Sequence, residues 1–243
     1  MSSVVDDTSE ADLLTVLGER YALDETAART LLSVAEPLLR ADTRETKLGR
    51  RGTATRLKLM ESARQLFETH GYSQVSVLQI SENAGVSQGA YYQYFRDRSD
   101  VMAALVVRYV AELVSNAALT WRVEDGRSGI AQLLDFYVRD YAENAAFAGV
   151  WEEISQLEPA LADARRRLTN VIERSVEAQL RHGIELGLLS PPGAPATTAR
   201  ALTAMADRFC FLAYTFDPGE QPITWEEGAR ALTEMWWRVI GPD

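Results

Sequence analysis

Gln88, Gly89, Ala90, Tyr92, Gln93 and Tyr94 stand together in the run Ser87–Phe95. A glutamine amide can exchange two hydrogen bonds with the edge of adenine in a major groove. Phenolic hydroxyls suit phosphate oxygens, which position a protein on a duplex without reading its sequence. Glycine and alanine let a helix backbone come close to base edges. The chemistry on offer is recognition of double-stranded DNA, with no bond made or broken. Each residue also has a plainer reading. Tyr92 and Tyr94 could be surface aromatics, and Gly89 a tolerated glycine costing roughly 0.5–1 kcal/mol against alanine.

Three closely spaced helix signals must position this run. A helix over about 53–69 turns Leu59, Ala63, Leu66 and Phe67 inward and stops at Gly71 in a left-handed conformation. A second starts at Ser76, which forms a capping box with Gln79, while Val75 and Ile80 make a hydrophobic staple. It ends at Gly85. Ser87 caps the third helix, stapled by Val86 and Tyr91. So short a turn with a glycine sets two helices at a steep angle, the helix-turn-helix arrangement. Tyr91 and Phe95, four apart, face inward, so Gly89 and Gln93 face outward, flanked by Ala90 and Tyr92. The capped start at Ser87 offers free N–H groups to a phosphate. Ser76 starts the preceding helix in the same manner. Arg56 and Arg98 are the expected phosphate clamps, and Asp97 or Ser99 opens a fourth helix to about Ala118.

The charge distribution supports a nucleic-acid partner although the net charge of the 243 residues is -10. Residues 1–43 balance to −6, residues 44–108 to +4 and residues 109–243 to −8. Local charge governs attraction within a Debye length of roughly 8–10 Å. Chance clustering on a solvated face is the alternative.

The stretch LFETHGYSQVSVLQISENAGVSQGAYYQYFRDRSDVMAAL resembles the DNA-binding region of TetR (tetracycline-repressor) family regulators. Phe67, Gly71, Tyr72, Ser76, Ile80, Ala84, Gly85, Val86, Ser87, Gly89, Tyr92 and Phe95 fall on its characteristic positions. The resemblance covers about 50 residues. It implies a homodimer of helical subunits, each with a small DNA-binding unit and a larger effector domain. On this pattern the recognition helix is Ser87–Phe95. Gln88 stands where lysine is common, Leu78 where a basic residue is common, Gln79 where an acid follows it, and Arg98 at a lysine position. The expected function is a ligand-responsive transcriptional regulator, in the sense of a repressor. It would bind palindromic operator DNA as a homodimer through residues 87–95 and be released by a small apolar or amphipathic effector.

The whole chain reads as all-α, because apolar residues recur at helical spacing and strand alternation is absent. The expected organisation is a helical extension over 1–45, a helix-turn-helix domain over 46–98 and an effector-binding and dimerisation domain over 99–243. In the extension, helices fall at about 9–20 and 24–40, with Pro37 expected to kink or break the second. It could be a hairpin packed on its neighbour, the favoured reading, or an acidic shield for the basic region. The linker 41–52, with Arg44, Lys47, Arg50 and Arg51, suits either a minor groove or a solvated tether. Later helices fall at about 128–144, 145–156, 159–186, 197–215 and 224–240. Trp121, Phe136, Tyr137, Tyr141, Phe147, Trp151 and Phe209 are the candidate ligand-binding aromatics, against the alternative of a packed core. Ala204, Phe211, Leu232, Met235, Trp236 and Trp237 are the candidate dimer interface.

Other chemistries find little footing. His70 and His182 lack metal-ligand spacing, no G-x-S-x-G or Walker loop occurs, and no metal or cofactor is expected. The single cysteine, Cys210, reads as a core thiol and fits a reducing cytoplasm. No apolar run approaches the ~18 residues of a membrane span. The alternative from another class is a helical adaptor that uses the same fold for protein contacts.

Overall fold

The computed structural model describes residues 10–39, 48–115, 121–216 and 222–242. The regular elements among them are helices: α1 (Glu10–Tyr21), α2 (Glu25–Leu39), α3 (Arg50–His70), α4 (Val77–Asn83), α5 (Gln88–Tyr94), α6 (Arg98–Val114), α7 (Gly126–Glu143), α8 (Ala145–Ser155), α9 (Pro159–Glu185), α10 (Pro195–Cys210) and α11 (Trp225–Ile240). None is long and apolar enough to cross a membrane. The chain divides into two compact units, residues 1–115 with 150–167 and residues 116–149 with 168–243. The cut expected at residue 98 does not coincide with this division, because α6 groups with the helices before it.

In the first unit, α6 is apolar almost all round. Val101, Met102, Ala104, Leu105, Val106, Val107, Val110, Ala111 and Leu113 are buried. A helix with no polar face needs cover on several sides, and both α2 and α3 pack on α6. The N-terminal extension is thus a helical hairpin whose α2 buries Ala28, Leu31, Val34, Ala35 and Leu38. Residues 1–9, which carry part of the proposed acidic shield, lie outside the described residues. Pro37 does not end α2 at its own position, contrary to the expectation. It sits in the last turn, and the carbonyl its ring leaves unbonded, that of Ser33, accepts a hydrogen bond from Arg167 Nη1 at 3.1 Å. Arg167 also pairs with Glu36 at 3.2 Å.

The linker reading of 41–52 needs correction at its end. Arg50, Arg51 and Gly52 are helical, because α3 starts after an extended Gly49 whose carbonyl accepts from Thr53 N at 3.0 Å. Arg44 and Lys47 lie outside the described residues.

The second unit is built on the packing of α7 against α11. Gly228, Ala229, Leu232, Thr233, Trp236 and Ile240 are buried on one stripe of α11. Ile130, Leu133, Leu134 and Val138 of α7 meet the same core, with Val176 and Leu180 of α9 and Leu202, Ala206 and Cys210 of α10. Thr224 and Glu227 cap α11 reciprocally, with Glu227 N donating to Thr224 Oγ1 at 3.3 Å and Thr224 N to Glu227 Oε2 at 3.0 Å. Helix α10 was expected to run as a plain helix to 215. It widens instead into a π-helical turn over Phe211–Phe216. The wider turn stacks the rings of Phe211 and Phe216 at 5.9 Å and places Thr215 Oγ1 3.1 Å from the Ala145 carbonyl.

Candidate nucleic-acid interface

The interface is assembled from two short capped helices. Ser76 Oγ accepts from Gln79 N at 3.2 Å, and Gln79 Oε1 accepts from Ser76 N at 2.8 Å. Helix α4 ends in a turn at Gly85, whose φ of +68 is the left-handed conformation that glycine adopts without penalty. There Val86 N donates to the Ser81 carbonyl at 3.0 Å. Ser87 Oγ then accepts from Ala90 N at 3.1 Å and opens α5. Both caps fall where the sequence placed them. Asp97, rather than Ser99, caps α6 by accepting from Asp100 N at 2.9 Å.

Two inward rings hold α5. Tyr91 and Phe95 are buried with centroids 5.6 Å apart, and the Tyr91 hydroxyl donates to the Asp97 carbonyl at 2.7 Å. Burial, reinforced by the Asp97 and Asp100 carboxylates, raises the affinity of that phenol for its proton, so it remains a donor. Behind α4, Ser62 Oγ donates to the Ile80 carbonyl at 2.8 Å and accepts from Asn83 Nδ2 at 3.1 Å. The outward face is left to Gln88, Gly89, Tyr92 and Gln93, all exposed, with Ala90 and Tyr94 half-buried at its margins. A Cβ added at Gly89 would meet no heavy atom nearer than Ser87 Oγ at 3.9 Å. Nothing among the described residues requires glycine there.

The two expected phosphate clamps are corrected. Arg56 is buried, with its guanidinium 4.9 Å over the Phe95 ring and Nη1 3.2 Å from Met60 Sδ. It packs the recognition helix from behind. Arg98 Nη1 donates to the carbonyls of Tyr72 at 3.0 Å and Val75 at 2.5 Å, and its guanidinium lies 4.8 Å over the Tyr72 ring. Its charge is spent on backbone. Ser76 is exposed, but its N–H and hydroxyl serve the capping box. Among the other cations of this region, Arg64 pairs with Glu68 at 2.7 Å, Arg96 with Asp100 at 2.5 Å and Arg108 with Glu112 at 2.8 Å. Arg50, Arg51 and Lys58 are exposed and have no ion-pair partner among the described residues. They stand on α3, the helix whose Arg56 braces α5. Sequence reading placed Arg50 and Arg51 in a linker and gave Lys58 no role; only the pairing of their rivals singles them out.

The expected stop at Gly71 also differs. Gly71 has φ 79 and ψ 154, a positive-φ but extended conformation that is essentially confined to glycine. It leads into a 3-10 turn, Tyr72–Gln74. Three donors of that turn meet one carboxylate of α8. Tyr72 N reaches Glu153 Oε2 at 3.2 Å, while Ser73 N and Ser73 Oγ reach Glu153 Oε1 at 3.3 and 2.6 Å. The Tyr72 phenol is pushed up to about 12, chiefly by burial and against the pull of Arg98.

The candidate ligand-binding aromatics divide between the two units. Trp121 belongs to the core of the second unit, and Tyr137, Tyr141 and Phe209 pack against it. Phe136 and Phe147 are buried elsewhere in that unit. Trp151 belongs to the first unit, where its Nε1 donates to the Leu161 carbonyl at 3.2 Å. An open hollow of about 660 Å³ lies between α7 and α11, lined among others by Arg127, Asp135, Trp225 and Arg230, and by none of the seven. Of the candidate dimer residues, Leu232 and Trp236 are core, 1% and 2% exposed, because they sit on the α11 stripe that faces α7. Ala204 and Met235 are exposed, and Phe211 and Trp237 half-buried.

Comparison with known proteins falls on the same segment. Residues 59–105 match the family described as bacterial regulatory proteins, tetR family. The HTH-type transcriptional repressor AcnR of Corynebacterium glutamicum is 34% identical over 74 residues, 29% of this chain and 39% of that protein. The HTH-type transcriptional regulator BetI of Yersinia pestis is 27% identical over 99 residues, 40% of this chain and 50% of that protein. The chain thus spans between about two fifths and half the length of these curated relatives. Solved structures extend the likeness of fold. A tetR-family regulatory protein from Rhodococcus covers 81% of this chain and 100% of its own at TM-score 0.62 and 19% identity. SmeT in its triclosan complex covers 78% and 93% at TM-score 0.60 and 20% identity.

Proposed function

The chain belongs to the TetR family of bacterial regulatory proteins, and from that premise we infer that it is a ligand-responsive repressor that binds palindromic operator DNA as a homodimer. The observation that carries this reading is the outward face of α5. Gln88, Gly89, Tyr92 and Gln93 are exposed on a helix whose other side is locked by Tyr91 and Phe95. Gln88 and Gln93 read base edges, Tyr92 and Tyr94 reach phosphates at the margins, and Gly89 with Ala90 admits the backbone to the groove. Arg50, Arg51 and Lys58 supply the charge that Arg56 and Arg98 cannot. Two copies would place two such helices on half-sites about one turn, 34–36 Å, apart or a multiple of it.

The second copy docks on the outer side of α10 and α11, where Ala204, Met235 and Val239 are exposed and Phe211 and Trp237 half-exposed. Leu232 and Trp236 lie inside and take no part. The effector is a small amphipathic molecule. Support comes from the core of the second unit, where the indole Nε1 atoms of Trp121 and Trp236 are buried without a hydrogen-bond partner among the described residues. An orphaned donor of this kind costs about 1–3 kcal/mol, and a ligand bringing an acceptor into an otherwise apolar core would relieve it. Release follows if the ligand prefers a conformation whose recognition helices no longer match the groove spacing.

Selection from a random duplex library with the full chain tests the reading. The expected product is a two-fold symmetric site. Recovery of no preferred sequence, or sedimentation as a monomer at micromolar concentration, would sink it.

A further inference from the structure

We propose that Glu153 is a positioning residue of the DNA reader, setting the direction in which the chain leaves α3 and so the placement of α4 and α5. This rests on the DNA-binding reading above and adds a residue far outside the segment that carries the family pattern.

Gly71 swings the backbone out of α3 in a conformation with φ 79 and ψ 154, and the 3-10 turn Tyr72–Gln74 follows at once. Only Val75 separates it from Ser76, the cap of α4. Any change in the turn is therefore passed to α4 within two residues. The turn closes one hydrogen bond of its own, from Val75 N to the Tyr72 carbonyl at 3.3 Å, and each of its sides is met by one ion. Glu153 takes the donors: Tyr72 N at 3.2 Å, Ser73 N at 3.3 Å and Ser73 Oγ at 2.6 Å. Arg98 takes the acceptors: the carbonyls of Tyr72 at 3.0 Å, Ser73 at 3.5 Å and Val75 at 2.5 Å. The turn is gripped between a carboxylate and a guanidinium, with no net charge left over. Hydrogen bonds to ionised groups are the stronger kind and the more directional.

The placement of Glu153 supports a dedicated role. It lies in the last turn of α8, where the helix dipole disfavours a carboxylate. Its neighbour Glu152 is paired with Arg165 of α9, whereas Glu153 has the turn. The fit is close, since a Cβ at Gly71 would lie 3.5 Å from Glu153 Oε2. The glycine supplies both the backbone conformation and the room for the carboxylate.

The test compares the full-length wild type with Glu153→Ala, Glu153→Gln and Ser73→Ala. Each is measured for affinity to the selected operator, for affinity to unrelated duplex, and for amide exchange at Tyr72 and Ser73. For Glu153→Ala the expected result is about a tenfold loss on the operator, the scale of one charged hydrogen bond. Affinity for unrelated duplex and the salt slope should hold, and the two amides should exchange faster. Glu153→Gln keeps one acceptor oxygen and should recover part of the loss. Ser73→Ala should lose less, and in combination with Glu153→Ala should add nothing. Equal losses on operator and unrelated duplex, additive effects of the two substitutions, or unchanged exchange at Tyr72 and Ser73 would each overturn the proposal. If the wild type itself selects no operator, the DNA-binding reading fails instead; the exchange measurement still decides whether Glu153 holds the turn.

Discussion

Tyr91 in α5 and Trp236 in α11 are both large buried aromatics with a polar handle, and the two handles are treated differently. The Tyr91 hydroxyl donates to the Asp97 carbonyl at 2.7 Å. The Trp236 indole N–H is buried with no acceptor among the described residues, as is that of Trp121 in the same core. Around Tyr91 the buried hydroxyl is satisfied, and the residues able to do chemistry are turned out on α5. Around Trp236 the outside of α11 is the conventional mixture of charge and apolar side chains, and the unfinished chemistry is inside. A reader of DNA needs a rigid interior and an exposed polar face.

Removing Trp236 should have the largest effect. Trp236→Ala leaves a cavity in the α7–α11 core and is expected to cost about 3–5 kcal/mol in denaturant unfolding. Trp236→Phe keeps most of the ring volume and deletes the orphaned donor, so it should cost far less than the alanine. Were the two substitutions equally costly, the indole N–H would have a partner, and the contrast with Tyr91 would vanish.

Alkaline pH separates the two regions next. Burial pushes the Cys210 thiol from 9.0 up to about 12, and Tyr72 beside the reader from 10.0 up to about 12. Both groups hold their protons more tightly folded than unfolded. The stability they contribute is intact below the unfolded values and lost as pH rises through the folded ones. Denaturant midpoints should therefore fall first above pH 9, from Cys210 in the second unit, and further above pH 10, from Tyr72 and Tyr91 in the first unit and Tyr214 in the second, which burial also raises. A midpoint flat from pH 8 to 11 would contradict the burial of both groups.

How far the sequence could be read follows the same division. The capping box at Ser76, the cap at Ser87, Gly85 and the split between Tyr91 and Gln93 are local patterns, set within a few residues, and the structure has them in place. Long-range partners are not local patterns. Arg98 was legible as a cation but not as the clamp of a turn 26 residues earlier. Arg56 looked like a surface charge because helical spacing alone does not reveal the ring of Phe95 above it. Pro37 looked like a break because the donor that satisfies Ser33, Arg167, is 134 residues away. On α11, Leu232, Met235, Trp236 and Trp237 are too evenly apolar for periodicity to say which face meets α7. The hairpin α1–α2 was visible as a pair of amphipathic helices, while its target, the largely apolar α6, had to be seen.

Base reading comes next in size. Gln93→Ala should relax preference at one position of each half-site by about 1–3 kcal/mol, the range for a good bidentate contact. Competition between operator duplexes changed at single positions measures it. A uniform loss at every position would mean that Gln93 supports the helix rather than reading a base.

The smallest effect is the most diagnostic, because it asks which cations meet phosphate. Lys58 is exposed and has no ion-pair partner among the described residues, whereas Arg98 is engaged by the carbonyls of Tyr72 and Val75. Lys58→Ala should weaken binding to every duplex alike and reduce the slope of log affinity against log salt by about 1 per protomer, the signature of one lost phosphate contact. Arg98→Ala should leave that slope alone, because no counterion is released by a charge already held against backbone, and should lower operator affinity through the loosened turn. Should Arg98→Ala flatten the slope and Lys58→Ala not, the guanidinium leaves the turn when DNA arrives, and its hold on the turn is a property of the free protein alone.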